Sequence, residues 1–302
     1  MISQINLFSN SYAAKPQPPK LRGKNHAVKP HVLDQTSFPY YKLPFKSGKI
    51  TKLAQTLYKK AHLSNIEFNE IINRILGDSL KTIRIKITKS ITYKVQRKKG
   101  KISSFKDASK IIEDMLGAMG ITDGSQKQTD RIVKKLVKEV EKGNLIITSI
   151  GNFFAKGSKP YLSPKNLNAI QQAQKKPIKF SKNYNWGYTA ANIKFKIKNK
   201  VFCELQLKGK HCHTLDAATH ITYELKVGRF KATGKFKEEK EALIAAYDKL
   251  NNRQLASLNK YQGKYSKHLR LKELGVKTLE PSLSKIIPEM FDLKNLSRLA
   301  EK

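Results

Sequence analysis

Four residues, Arg84, Lys86, Ser90 and Lys94, follow one another at short regular steps and bring three cations and a hydroxyl to one stretch of chain. Arg84 and Lys86 lie two apart in the alternating segment Thr-Ile-Arg-Ile-Lys-Ile-Thr (82–88), so they share the open face of a half-buried strand. Ser90 and Lys94 follow at four-residue steps, as expected where a strand runs into a helix. Such an array suits the oxygens of a nucleoside triphosphate; it is also what a solvated basic strand end looks like. Two carboxylates complete the set. Asp114 and Glu204 each sit on the polar side of an otherwise apolar stretch, where a carboxylate is costly unless it meets cations. Magnesium takes one or two carboxylates with phosphate oxygens and water, so a pair drawn from separate elements fits it. Glu204 could equally serve as general base for an acceptor hydroxyl, or pair with lysines on neighbouring strands. Tyr188, after Gly187, offers an aromatic face to a base or an ordinary packing surface. Together these groups supply the parts that pyrophosphoryl transfer requires: a phosphate cradle, charge neutralisation and an oriented hydroxyl.

The elements that must position them follow from periodicity. Apolar residues from Leu53 to Ile75 recur at helical intervals and predict two helices, with Ser64 available as an N-cap before Glu67. A helix is predicted over 104–119, placing Glu113 and Asp114 next to Gly117, and a basic amphipathic helix over 129–142, followed by a strand from Leu145 to Ile150. Residues 151–186 read as a long loop with a short helix near 166–174. Strands are predicted at 192–198 and 201–207. In the second, Cys203, Leu205 and Leu207 share one face, and Phe202, Glu204, Gln206 and Lys208 the other. A helix covers 212–226. Beyond Gly228, helices near 237–259 and 281–301 read as a separate basic extension. Residues 1–47, rich in Pro, Asn and Lys, read as a disordered basic arm. Its prolines at 16, 18 and 19 fit such an arm better than a transit peptide.

In this order the motifs resemble the synthetase domain of the RelA/SpoT family, over about residues 50–230. Arg84-x-Lys86-x3-Ser90-x3-Lys94 matches the family's ATP-binding pattern. Asp114-x2-Gly117 resembles its magnesium motif, Gly187-Tyr188 its GYxSxH element, and Glu204-x-Gln206 its ExQxR strand; His220 and Tyr223 resemble its later HWxYK stretch. The resemblance implies an α+β fold of nucleotidyltransferase type, a mixed β-sheet flanked by helices, with a C-terminal helical extension. It implies transfer of pyrophosphate from ATP to the 3′-hydroxyl of GDP or GTP. Arg84, Lys86, Ser90 and Lys94 would bind ATP, Asp114 and Glu204 would hold magnesium and activate the acceptor, and Tyr188, Asn192, Gln206 and Lys208 would bind the acceptor. Four positions depart from the pattern. Met119 stands where the family has an ATP-facing arginine, Asn192 for histidine, Lys208 for arginine and Glu224 for lysine. The hydrolase domain of longer members is not expected, since no His-Asp dipeptide occurs.

Composition sets the remaining bounds. Across 302 residues, 60 Lys+Arg against 23 Asp+Glu give a formal charge of +37, which attracts polyanions through counterion release. The alternatives this raises are pyrophosphorylation of a tRNA 3′ end and a catalytically silent nucleotide- or RNA-binding protein. Lysine codons favoured by base composition would also produce such a charge. Two cysteines nine apart indicate neither a disulfide framework nor a paired zinc knuckle. His211-Cys212-His213 lacks a second ligand pair. No apolar run approaches the length of a spanning helix, so a cytoplasmic protein without a membrane partner is expected.

Overall fold

The computed structural model describes residues 47–97, 108, 112–184, 188–198, 201–226, 228, 230–281, 296, 298 and 299. The arm read over 1–47 lies outside these, apart from Ser47, as do Gly187 and almost all of the helix expected over 281–301.

The described chain is α+β, a mixed six-stranded sheet flanked by helices. Helices α1 (Ser47–Leu63) and α2 (Asn65–Leu76) lead through a 3-10 turn into β1 (Leu80–Ile85). Ser64 precedes α2 with helical backbone angles and makes no side-chain cap, because the chain passes from α1 to α2 almost without unwinding. Next come α3 (Thr88–Arg97), β2 (Leu116–Thr122), α4 (Gln126–Glu141), β3 (Leu145–Phe154) and α5 (Pro164–Gln172). The sheet is completed by β4 (Lys179–Tyr184), β5 (Ala190–Ile197) and β6 (Phe202–Gly209). Helices α6 (Lys210–Lys226), α7 (Lys237–Asp248) and α8 (Asn252–Glu273) follow. The strand order is β1-β2-β6-β5-β3-β4, with β2/β6 and β3/β4 parallel and the other pairs antiparallel.

Two expectations fail here. The helix predicted over 104–119 ends early: Ala108 is helical and Ile112 N–H donates to its carbonyl, but the chain turns at Glu113–Asp114 and Leu116–Thr122 is a strand. Two glycines disfavour a helix there, and a strand between two neighbours is buried on both faces, so its sequence reads as a continuous apolar run. The 151–186 loop is also shorter than expected. β3 continues to Phe154, and the polar Lys179–Tyr184 pairs with it as a parallel edge strand.

One sheet face is the main core. Leu116, Ala118, Cys203, Leu205, Leu207, Ile193 and Phe195 pack beneath α1, α2 and α4, whose Leu57, Phe68, Ile72, Ile75, Ile132 and Leu136 are buried. A second apolar cluster, including Leu215, Ile221, Leu243, Leu258 and Leu269, lies among α6, α7 and α8. Helices α7 and α8 therefore share an apolar core with α6. The last turns of α8 are built into the domain by a buried network. The Arg270 guanidinium, fully buried, donates to the carbonyls of Lys159 (3.1 Å), Gly124 (2.5 Å) and Pro160 (3.1 Å) and lies 3.9 Å over the Tyr161 ring. Beside it the Glu273 carboxylate accepts from Arg270 (3.2 Å), from the Tyr161 hydroxyl (2.7 Å) and from the first amides of α6, His211 N–H (3.1 Å) and Cys212 N–H (3.0 Å). A carboxylate at a helix N-terminus satisfies donors that the helix itself leaves open. Gly124 and Gly209 make the socket, because a Cβ on either would stand within 2.6 Å of Glu273 atoms, and Gly124 has φ +83° as well.

Candidate active-site cleft

Sheet register gathers the polar residues opposite the main core into rows. Arg84 on β1 faces Gly117 on β2, Gly117 faces Glu204 on β6, and Glu204 faces Lys194 on β5. In the next row Met119 faces Gln206, which faces Asn192. The period-2 alternation that buries Cys203, Leu205 and Leu207 thus turns Glu204, Gln206 and Lys208 to the other side. Gly117 leaves space across which Arg84 lies, since a Cβ there would stand 3.0 Å from the Arg84 Nε.

Arg84, Met119 and Gln206 of these rows floor one side of a cleft of about 830 Å³, whose lining includes neither Glu204 nor Asp114. Arg84, Met119, Tyr188, Gln206 and Lys208 line it from the sheet side, and Asp216, His220 and Tyr223 from α6. Its far wall comes from the C-terminal helices: Tyr247 on α7 and Asn252, Leu255, Asn259 and Gln262 on α8. Tyr188 is fixed on three sides. Its hydroxyl donates to Asn192 Oδ1 (2.9 Å), its ring meets Phe153 edge-on (5.4 Å), and the Lys208 ammonium sits 4.9 Å from its centroid. Burial first, then the nearby Asp216 charge, raises the Tyr188 hydroxyl well above the ordinary phenol range, so it stays protonated. Lys208 is almost fully buried and ion-pairs with Asp216. Gln206 Nε2 donates to Glu204 Oε2 (3.0 Å) and fixes that carboxylate's orientation.

The predicted ATP residues are divided. Arg84 lines the cleft, while Ser90 is exposed on α3. Lys86 and Lys94 clamp Asp114 instead, Lys86 Nζ at 2.8 Å from Oδ2 and Lys94 Nζ at 2.7 Å from Oδ1. Burial works to raise the Asp114 carboxyl, but the hydrogen bonds and charges of the two lysines outweigh it and hold the group below its ordinary value. Asp114 precedes Leu116, whose partner on β6 is Cys203, so Asp114 and Glu204 stand at the same end of the parallel β2/β6 pair. Their oxygens are of the hard type magnesium takes, and in this structure both oxygens of Asp114 are engaged by lysines. Among the described residues no group of three or more His, Cys, Asp and Glu could hold a metal, and Cys203 and Cys212 are free and buried.

Of the four departures, Met119 and Lys208 line the cleft, Asn192 braces Tyr188, and Glu224 Oε1 lies 3.7 Å from His220 Nε2. Several cleft residues gave no signal in the sequence. Asp216 becomes legible only through Lys208, and the wall of α7 and α8 only through the Arg270–Glu273 anchor more than a hundred residues from Tyr161. A salt bridge from Lys194 on β5 to Glu113 ahead of β2 (2.6 Å) was likewise unforeseen.

No helix among the described residues is long and apolar enough to cross a membrane. The chain matches no protein-family profile and no curated protein. Among solved structures it is similar to a GTP pyrophosphokinase family protein from Streptococcus pneumoniae, at 12% identity and a TM-score of 0.30, with 74% of this chain and 99% of that one covered.

Proposed function

We propose that the cleft binds ATP beside a guanosine nucleotide and transfers the pyrophosphoryl group to the acceptor's 3′-hydroxyl. The observation that carries this reading is the single sheet face of Arg84, Glu204, Gln206 and Lys208: Arg84, Gln206 and Lys208 line a nucleotide-sized cleft, Glu204 is hydrogen-bonded to Gln206 beside it, and the Lys86–Asp114–Lys94 clamp stands at the strand end. It rests as well on the ordered motif resemblance given above. In this reading the acceptor oxygen attacks the β-phosphorus of ATP, the bond from that phosphorus to the α,β-bridging oxygen breaks, AMP leaves, and the hydroxyl proton passes to Glu204. Arg84 binds the triphosphate, and Lys86 and Lys94 exchange Asp114 for phosphate oxygens as it enters. Gln206 holds Glu204 in the orientation that receives the proton. Tyr188, braced by Asn192 and Phe153, presents its ring to the acceptor base. Magnesium between Asp114 and Glu204 would neutralise charge on the triphosphate oxygens.

A second acceptor, the 3′ end of a tRNA, is favoured by the +37 charge. Met119 at the cleft favours a third reading, nucleotide binding without transfer. Purified protein incubated with γ-labelled ATP, magnesium and GDP, GTP or bulk tRNA decides among them. The expected result is label in a guanine nucleotide, lost in Glu204→Ala. Label in tRNA alone replaces the acceptor, and no transfer to any of them overturns the reaction.

A further inference from the structure

Helix α4 carries a feature that the cleft does not use. Its buried face, Thr129, Ile132, Val133, Leu136, Glu139 and Val140, is spent on the core. On the opposite side Lys127, Arg131, Lys134, Lys135, Lys138 and Lys142 are all exposed. At ~100° per residue these six occupy an arc of about 100°, and every residue of the helix within that arc is a cation. Along the axis Lys127, Arg131, Lys134, Lys138 and Lys142 form a stripe about 22 Å long with axial steps of about 4.5–6 Å. Lys142 lies 4.0 Å from Glu139, whose carboxylate is held by Arg74 at 2.9 Å; the other five cations of the arc pair with no described carboxylate. The exposed acids of the helix, Asp130 and Glu141, fall outside the arc. Asp130 is occupied by the amides of Gln126 and Asn166, and Glu141 borders the stripe.

Cations held by chance on a solvated helix alternate with acids at i,i+3 and i,i+4, because those pairs stabilise the helix and like charges at i,i+4 oppose it. A line of like charges on a rigid, core-packed helix is complementary to a partner whose own charges repeat at similar intervals. Insertion of the helix into a membrane surface does not fit. A helix that lies on lipid needs an apolar face free for the acyl boundary, and that of α4 is buried. We infer that the outer face of α4 is a binding surface for a nucleic-acid strand, its cations each meeting a backbone phosphate, without reading sequence. This surface is independent of the cleft chemistry and requires no transfer activity.

The test measures anisotropy of a fluorescein-labelled single-stranded RNA of about 20 nucleotides against the full chain over a series of KCl concentrations. The stripe variant carries Lys127→Gln, Arg131→Gln, Lys134→Gln, Lys135→Gln and Lys138→Gln. The control variant removes the same charge from exposed positions on α1 and α8, with Lys52→Gln, Lys59→Gln, Lys260→Gln, Lys264→Gln and Lys267→Gln. At about 0.7 ions per neutralised phosphate on a single strand, the stripe variant should lower the slope of log Kd against log salt by about 3.5, and the control by less than 1. If the five-fold variant does not fold, Lys134→Gln with Lys138→Gln should still lower the slope by about 1.4. Equal losses in stripe and control variants would reduce the attraction to net charge and overturn the inference. So would an unchanged slope, or a stripe-dependent loss seen with phosphatidylserine vesicles and not with RNA. A labelled single-stranded DNA of the same length, run in parallel, separates RNA from nucleic acid in general.

Discussion

Replacing Glu273 by alanine should be among the most destabilising single changes in the domain. The carboxylate has no solvent exposure and receives four donors, two of them backbone amides at the start of α6. Its removal leaves Arg270 with three carbonyl acceptors but no counter-charge, and strands the Tyr161 hydroxyl proton and both amides. Removing one member of a buried charge pair typically costs about 3–5 kcal/mol. A water entering the vacated space would recover part of the amide cost, so about 3–4 kcal/mol is expected, against a total stability on the order of 5–15 kcal/mol. Urea unfolding followed by far-ultraviolet circular dichroism measures it directly. Arg270→Ala should cost a similar amount. The double variant should fall short of the sum by about 1–3 kcal/mol, since each single change strands the other's charge. A Glu273→Ala loss under 1 kcal/mol, or strict additivity, would refute the account of α8 as anchored through this pair.

Other outcomes follow from the cleft. Gly117→Ala should leave stability within about 1 kcal/mol while lowering transfer or ATP binding, because the new Cβ displaces Arg84; unchanged ATP binding would remove Arg84 from the site. Asp114→Asn should cost about 1–3 kcal/mol at neutral pH. The folded-state pKa of Asp114 lies below its unfolded value near 3.9, so its stabilisation is present above that pH and lost as pH falls through the folded value. Wild type and Asp114→Asn should therefore converge in acid unfolding experiments, and a gap that widened toward low pH would contradict the lysine clamp. Met119→Arg puts a guanidinium at the cleft, and calorimetry should show ATP binding about tenfold tighter, the worth of one charge-assisted hydrogen bond. Tyr188→Ala should raise the acceptor KM several-fold more than the ATP KM in initial-rate assays, whereas equal effects would leave it only a packing role.

Alternation made much of the site face readable in advance. Ile83 and Ile85 against Arg84, and Cys203, Leu205 and Leu207 against Glu204, Gln206 and Lys208, fix sides by period 2 alone, and the structure has both patterns. Periodicity could not separate strand from helix in Leu116–Thr122, a short apolar run buried on both faces. It could not find β4 either, because an edge strand such as Lys-Phe-Ser-Lys-Asn-Tyr needs only one bonded neighbour and can stay polar. Lys86 and Lys94 were legible as cations near the site, but their grip on Asp114 depends on how the turn at Glu113–Asp114 closes. The α8 wall was hidden most deeply, since nothing local in Arg270 or Glu273 announces Tyr161, Gly124 and Gly209 as partners.

The socket around Glu273 bears on how such a protein can be rearranged by evolution. Gly124 and Gly209 belong to the part of the chain that carries the motif series, yet what fills the space they keep open arrives more than sixty residues after Gly209. A fragment ending near residue 230 would expose the first amides of α6 and the Tyr161 hydroxyl, and its cleft would lose a wall. The C-terminal helices are therefore not an appendage that recombination could exchange for another. Any replacement would have to bring its own buried acid and base to the same two glycines, so cleft face and tail are expected to change together.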